Sequence, residues 1–253
     1  METLTEYLRR GVLAGAVAGV AFGVLLALVA NPLVGVAEGF GHGGYHALDG
    51  HAHASQDSSV VSATVTNAVS VVSGVLWGIL LGGVVFGAGF YFLEPILPGR
   101  GATQSYLLAA AGFVTVSGAP WLVLPPRPPG VAEALPADTR TLLYAGMMVL
   151  GAAVCLLSAV ASDRLRAERS RSVAVAGALL PFGLLAVPAV LAPGASSAAA
   201  ESALPPELAA GFTGLIVLGQ ALLWLLLAGT HARLRRTGAG SGSGTVGVDS
   251  LAD

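Results

Sequence analysis

Residues 11–30 read GVLAGAVAGVAFGVLLALVA, twenty consecutive residues without a charged side chain. A bilayer core takes about 20 apolar residues in helical form, and backbone groups in lipid must be paired within their own segment. The stretch therefore predicts a membrane-spanning helix. The composition agrees, because 10% of the residues are charged and 55% are hydrophobic, whereas soluble domains carry about a quarter charged residues.

Five further segments share this character, and none of the six contains Asp, Glu, Lys or Arg. None contains histidine either, so we expect no titratable side chain at membrane depth and no proton relay built from one. The chain is predicted to be an all-α six-helix transmembrane bundle over residues 1–236. The predicted spans are Gly11–Ala30, Asn67–Phe92, Gln104–Leu124, Thr141–Ser162, Val173–Leu191 and Ala209–Thr230.

The basic residues, all of them arginine, give the orientation. If the N-terminus is inside, the inner segments hold ten arginines and the outer loops hold two, Arg127 and Arg140. Cytoplasmic loops carry such an excess, so we expect a multi-pass protein of the plasma membrane with both termini cytoplasmic. The ten inner arginines are Arg9, Arg10, Arg100, Arg164, Arg166, Arg169, Arg171, Arg233, Arg235 and Arg236.

Glycines recur every fourth residue in the first two spans. Small residues at this spacing let two helices approach closely in lipid, so we expect the two spans to pack on these faces. The spans also match each other at an offset of 63 residues, and spans three and four match spans five and six at an offset of 68. Internal hairpin repeats are one explanation; chance likeness between apolar hairpins is the other. The glycines are Gly11, Gly15, Gly19, Gly23, Gly74, Gly78 and Gly82.

The loop at residues 31–59 gathers four of the five histidines between two apolar segments. Neutral imidazole with carboxylate suits divalent cobalt, nickel or zinc, and binding weakens below about pH 6. Nearby glycines disfavour a free-standing helix there, so we expect a pliable loop that orders on binding metal. The alternative is a solvated loop without a ligand. The predicted metal ligands are Glu38, His42, His46, His51 and His53.

The sequence lacks the residues that other classes of function require. The single cysteine, Cys155, excludes a disulfide or a paired-cysteine metal site, and no P-loop or catalytic motif is present, so we expect no enzyme. The net charge of −2 indicates no nucleic-acid partner. The tail at residues 237–253 is rich in Gly and Ser, and we expect it to be disordered.

The outer loop at residues 125–140 carries the most specific pattern. Residues 125–130 read PPRPPG, and residues 140–144 read RTLLY. Proline pairs, then Arg-Thr-x-x-Tyr, resemble the signature of the CbtA family of predicted cobalt transporter subunits. The Arg-Arg-Gly entry at residues 9–11 and the acidic histidine loop are similar to that family too. The family pattern has Asn where Arg127 stands here.

The resemblance implies uptake of a divalent transition metal, with cobalt for cobalamin synthesis as the first choice. The ion would be a transported substrate, not a permanently bound cofactor, and would pass along the first two spans near Asn31 and Glu94. The resemblance also implies a small single-span partner, CbtB; a homo-oligomer stays open. The alternative from the residues is a non-transporting metal-binding subunit that regulates or scaffolds a partner.

Overall fold

The computed structural model describes residues 3–43, 62–127, 135–168, 170–191 and 204–241. Within these ranges the backbone is almost wholly helical and contains no strand. This confirms the all-α fold class.

The described helices join into six continuous rods, numbered in chain order. Several rods change from α to π or 3-10 geometry along their length, near glycine or proline residues. Rod 1 comprises Leu4–Leu25, the π segment Leu26–Ala30 and Asn31–Gly43. Rod 2 comprises Ala63–Leu80, the π segment Leu81–Ala88, Gly89–Leu93 and the 3-10 turn Glu94–Ile96, and rod 3 comprises Ala102–Phe113, the π segment Val114–Gly118 and Ala119–Trp121. Rod 4 is Ala137–Glu168, rod 5 comprises Arg171–Leu179, the 3-10 segment Leu180–Leu185 and Ala186–Leu191, and rod 6 is Pro206–Ser241.

Five rods contain helices that are long and apolar enough to cross a membrane: Leu4–Ala37, Ala63–Ile96, Ala137–Ala167, Ser172–Leu191 and Pro206–Thr237. The third predicted span is also a helix, rod 3, but Gln104, Ser105, Thr115 and Ser117 make it more polar. The count of six spans therefore stays a prediction.

Rods 1 and 2 pack through their glycine faces, as the spacing predicts. A Cβ on Gly78 would lie 2.6 Å from the Cα of Gly19, and one on Gly82 would lie 2.5 Å from the Cα of Gly15. These neighbours are backbone atoms, which cannot turn aside as a side chain can. We call this contact, which runs from Gly11 to Gly23 on rod 1, the glycine seam.

The remaining rods form two apolar cores. The first core joins rods 1, 2, 3 and 6 through residues such as Phe86, Phe90 and Leu227. The second core joins rods 3, 4 and 5 around Val154 and Met147. Rod 3 contributes to both cores and thereby links the two halves. Rods 3 and 4 pack on each other extensively, whereas rods 5 and 6 do not, so the predicted repeat is not mirrored in this packing.

The large apolar side chains that remain exposed lie on the outer surface of the rods. Val190, Leu142 and Phe92 each keep at least 70% of their surface accessible. Such a surface is costly in water and favourable in lipid. It therefore agrees with the apolar composition of the five candidate spans.

Several predicted boundaries differ from the structure, three of them inside a predicted loop or tail. Helix continues through Asn31–Gly43, into the predicted histidine loop, because it extends a helix that is already nucleated and the cost of nucleation does not recur. Rod 4 begins at Ala137, inside the predicted proline-rich loop. Rod 6 reaches Ser241, so the first residues of the predicted disordered tail are helical. Residues 242–253 lie outside the described residues.

Candidate functional site

The predicted metal ligands fall mostly outside the part of the chain that the structure describes. His46, His51 and His53 belong to the range 44–61, which is not described. Glu38 and His42 lie on the backbone of the helix Asn31–Gly43, four residues apart, but their side chains are not described. The metal-capture role of these five residues therefore stays a prediction.

Asn31 lies at one end of the glycine seam and joins rod 1 to rod 2. Its Nδ2 donates to the Oδ1 of Asn67 at 2.8 Å and to the Oγ of Ser70 at 3.0 Å. The Ser70 hydroxyl also lies 3.0 Å from the carbonyl oxygen of Thr66. We call Asn31, Asn67 and Ser70 the asparagine end. It is neutral, and its amide and hydroxyl groups bond to one another.

Glu94 lies at the opposite end of the seam, where its carboxylate is held from two sides. The Tyr7 hydroxyl of rod 1 donates to Oε2, and the Arg235 guanidinium of rod 6 donates to Oε1 at 2.5 Å. About a quarter of the Glu94 side chain and a fifth of the Arg235 side chain remain exposed. We call the group formed by Tyr7, Arg10, Glu94, Gln104, His231 and Arg235 the arginine end.

A tight turn between rods 2 and 3 completes the arginine end. Gly99 and Gly101 have positive φ angles of 92° and 60°, a conformation that glycine adopts at no steric cost. The turn brings Gln104 back beside rod 2, where its Nε2 donates to the carbonyl oxygens of Glu94 and Leu97, both at 3.3 Å. Its Oε1 accepts from Arg235 at 3.3 Å. Gln104 thus ties three rods together.

His231 is the functional candidate that the sequence reasoning missed. Its side chain is fully buried, with its ring 5.0 Å from Phe86 and 4.7 Å from Phe90. The Nδ1 atom lies 3.0 Å from the hydroxyl of Ser105. The Nε2 atom has no hydrogen-bond partner among the described residues.

The candidate spans are longer than the predicted ones and include titratable side chains, so the expectation that the spans lack such groups holds only for the shorter predicted ranges. Rod 6 carries His231 and Arg235 beyond the apolar run that ends at Thr230, and the candidate spans include them together with Glu94. The helices persist because these polar groups pair with one another where the rods pack. The spacing His231-x-x-x-Arg235, which puts both side chains on one helix face, was the available signal.

Arginine side chains pair with both carboxylates at this end of the bundle. Arg9 and the buried Arg10 lie 3.0 Å and 3.2 Å from the carboxylate of Glu6, and Arg235 pairs with Glu94. Three cations therefore face two carboxylates. No group of three or more His, Cys, Asp or Glu side chains that could hold a metal ion occurs among the described residues.

The glycine seam between the two ends leaves no room for an ion. Backbone meets backbone along it, so the glycine faces of rods 1 and 2 are in direct contact and form no open groove between them in this structure. Asn31 and Glu94 do not come together; they mark opposite ends of the seam. Their place on a transport path stays a prediction, and such a path would run beside the seam.

The Arg-Thr-x-x-Tyr pattern has a structural task that the sequence reasoning did not foresee. Pro120 has no backbone N–H, so it cannot bond to the carbonyl oxygen of Val116, four residues earlier. The hydroxyl of Tyr144 on rod 4 donates to that oxygen at 2.6 Å. The tyrosine of the pattern therefore supplies a donor to a carbonyl oxygen that Pro120 cannot reach with an N–H, and it fixes rod 4 against rod 3.

The comparison with protein families decides the assignment. Residues 4–236 match the family model described as "Probable cobalt transporter subunit (CbtA)". The chain belongs to the CbtA family. The match extends over all six rods, and with the five apolar helices it indicates a multi-pass membrane protein. Neither a search of curated proteins nor one of solved structures gave a match.

Proposed function

We propose that this chain is a membrane transporter subunit for uptake of a divalent transition metal, with cobalt for cobalamin synthesis as the first choice and nickel or zinc as alternatives. The single observation that carries the proposal is the CbtA match over residues 4–236. The match spans the whole helical bundle, so the proposal does not rest on one motif.

The proposed orientation places the asparagine end outside and the arginine end in the cytoplasm of the cell. The bias of arginine toward one side supports it, because Arg9, Arg10 and Arg235 all lie at the end of the bundle that carries Glu94. The histidine loop, which follows Asn31, would then face outward in the plasma membrane.

Capture at the outer face would use Glu38, His42, His46, His51 and His53. Imidazole nitrogen and carboxylate oxygen suit cobalt, nickel and zinc alike. The spacing of Glu38 and His42 on a helix supports a shared role, since residues four apart lie on one face. The histidines after residue 43 would add ligands from the connecting segment.

The ion would next travel beside the glycine seam from Asn31 toward Glu94. The membrane potential supplies about 2.3 kcal/mol per charge for each 100 mV, and hence about 4.6 kcal/mol for a divalent cation. This driving force does not depend on ATP hydrolysis, and the chain has no P-loop that could hydrolyse ATP. A small single-span partner of the CbtB kind would stabilise the assembly or shape the path.

The test is cobalt accumulation at limiting external metal in cells that express the chain. A variant with His42, His46, His51 and His53 all changed to alanine is expected to lose most uptake near neutral pH, since capture at low concentration depends on neutral imidazole. The matched control changes Ser55, Gln56, Ser58 and Ser59 to alanine in the same loop and should keep uptake. Equal accumulation by both variants would refute the capture role.

The closed packing of the seam favours keeping a second candidate, a metal-binding subunit that does not transport but scaffolds a partner. Reconstitution of the chain alone in liposomes separates the two. Cobalt influx without a partner supports transport by this chain. The scaffold is supported if the chain alone binds cobalt without influx while the partner still transports cobalt.

A further inference from the structure

Rod 3 packs against rod 4 over only half of its length. Its segments Val114–Gly118 and Ala119–Trp121 contact rod 4 beside the second core, whereas Ala102–Phe113 makes little contact with rod 4 or rod 5. Ala102–Phe113 follows the turn at Gly99 and Gly101, and it packs on rod 6 instead. Rod 3 therefore diverges from rods 4 and 5 toward the arginine end.

A cavity of about 240 Å³ occupies the space that this divergence leaves. Apolar side chains such as Ala110 and Ala159 line most of it, and Pro98 places one end beside the turn between rods 2 and 3. Cys155 and Arg166 also line it, eleven residues apart on rod 4, so the cavity extends about 16 Å along the helix axis. This is about half the thickness of a hydrocarbon core, which is the depth of one leaflet.

The shape and lining of this cavity fit a hydrocarbon chain. Native interiors contain few voids larger than a water molecule, and apolar cavities stay dry, such that an engineered one of about 150 Å³ binds benzene. A helix, which is about 10 Å across, needs far more room than this cavity offers over its depth. Because Ala102–Phe113 and rod 5 make little contact, an acyl chain of the surrounding bilayer can enter between them.

Arg166 lies at the mouth of the cavity, where it can contact an anion. Its side chain is exposed, and it makes no hydrogen bond or ion pair with any described residue. Arg9, Arg10 and Arg235, by contrast, pair with carboxylates. Guanidinium groups bind phosphate through two parallel hydrogen bonds, and basic pockets between membrane helices bind anionic lipid head groups on the cytoplasmic side. Arg166 is thus placed beside the head group of a lipid whose chain enters the cavity.

We propose that the cavity between rods 3, 4 and 5 binds an acyl chain of an anionic phospholipid, and that the phosphate of this lipid pairs with Arg166. The lipid belongs to the leaflet at the arginine end, which is the cytoplasmic leaflet in the proposed orientation. Rod 3 contributes to both apolar cores. A lipid bound beside it therefore stabilises the link between the two halves of the bundle.

Cys155 provides a reporter of the cavity. It is the one cysteine of the chain and lines the cavity, so a bound acyl chain shields it from N-ethylmaleimide. The full-length protein is purified in detergent micelles and titrated with phosphatidylglycerol, or with phosphatidylcholine that carries the same acyl chains. The labelled fraction is measured by intact mass. Phosphatidylglycerol is expected to protect Cys155 saturably, and at lower concentration than phosphatidylcholine.

Arg166→Gln separates the contribution of the head group from that of the acyl chain. It is expected to raise the phosphatidylglycerol concentration for half-protection by about fivefold, the effect of one basic residue beside an anionic lipid. Protection by phosphatidylcholine should not change. The matched control, Arg233→Gln, alters an exposed arginine of rod 6 that does not line the cavity, and it should behave as the parent. Equal weakening by both variants would indicate general attraction to a basic surface and overturn the site.

Ala159→Leu tests the acyl chain. The larger side chain fills part of the cavity without changing a charge, and it is expected to lower the retention of both lipids, which native mass spectrometry counts without use of the thiol. Unchanged retention in Ala159→Leu would overturn the proposal, as would a parent protein that retains no phosphatidylglycerol and shows no protection of Cys155. Neither measurement involves metal uptake, so failure of the lipid site would leave the proposed transport role standing.

Discussion

The two ends of the glycine seam join the same pair of rods by different chemistry. At the asparagine end, neutral amide and hydroxyl groups of rods 1 and 2 bond to one another. At the arginine end, Glu94 of rod 2 accepts from Tyr7 of rod 1, from Gln104 of rod 3 and from Arg235 of rod 6. The neutral end thus fixes two rods, whereas the charged end couples four. A change in one charge at that end therefore affects every rod of the first core.

The largest expected effect comes from separating the rods between the two ends. Gly78→Ala puts a Cβ against the backbone of Gly19, and forced overpacking of backbone is expected to cost more than about 3 kcal/mol. We expect failure to fold or a large drop in the free energy of unfolding, measured in detergent–lipid micelles.

Gly146→Ala is the matched control for this change. Apart from the adjoining turns of its own helix, no atom of the described residues lies within 4 Å of a Cβ at that position. The control should unfold within about 0.5 kcal/mol of the parent, as surface changes usually do. Equal destabilisation by both variants would mean that the seam is not closely packed.

The next largest effect is expected at the arginine end. Glu94→Ala leaves the Arg235 guanidinium and the Tyr7 hydroxyl without their shared acceptor and should lower the free energy of unfolding by about 2 kcal/mol. Glu94→Gln retains an acceptor oxygen and should lose less. A loss that is the same for alanine and glutamine would contradict the hydrogen-bonding role of the carboxylate.

A smaller effect is expected away from both ends, in the contact between rods 3 and 4. Tyr144→Phe removes the donor to the Val116 carbonyl oxygen, to which Pro120 cannot donate, and should cost about 1–2 kcal/mol. Pro120→Ala supplies a backbone N–H for that carbonyl, so adding Tyr144→Phe to it should cost less than Tyr144→Phe alone. Additive losses in the double variant would show that the two residues act independently.

The smallest loss is expected at the asparagine end. Hydrogen bonds between helices in lipid contribute about 0.6 kcal/mol on average, so Asn31→Ala should reduce the free energy of unfolding by about 0.5–1 kcal/mol. Asn67→Ala should give a similar value. A loss from Asn31→Ala as large as that from Glu94→Ala would remove the difference between the two ends.

Much of the fold could be predicted because the signals are local. Glycines at every fourth residue in residues 11–23 and 74–82 predicted the close face of rods 1 and 2. Apolar runs of about twenty residues located five candidate spans. Helix ends were harder to predict. Rod 6 continues past Thr230 only by packing polar side chains against other rods, and no feature of the apolar run that ends at Thr230 encodes that contact.

The candidate site was harder still to predict. Glu94 was expected on a path because it follows the second span, yet its partners lie 87 and 141 residues away in the chain, at Tyr7 and Arg235. Such pairs depend on which rods meet. His231 was missed for the same reason: beyond the apolar run it reads as a boundary residue, and only the packing of Phe86 and Phe90 makes it interior.

The glycine seam has a consequence at the level of the gene. Every single-nucleotide change in a glycine codon that alters the residue introduces at least one side-chain carbon, and alanine is the smallest outcome. At Gly15, Gly19, Gly78 and Gly82 even that carbon meets backbone. No single-nucleotide substitution at these positions therefore gives a side chain that the packing accommodates. We expect a saturation library to return only glycine there, whereas the lipid-facing valines and leucines should tolerate substitution by other apolar residues.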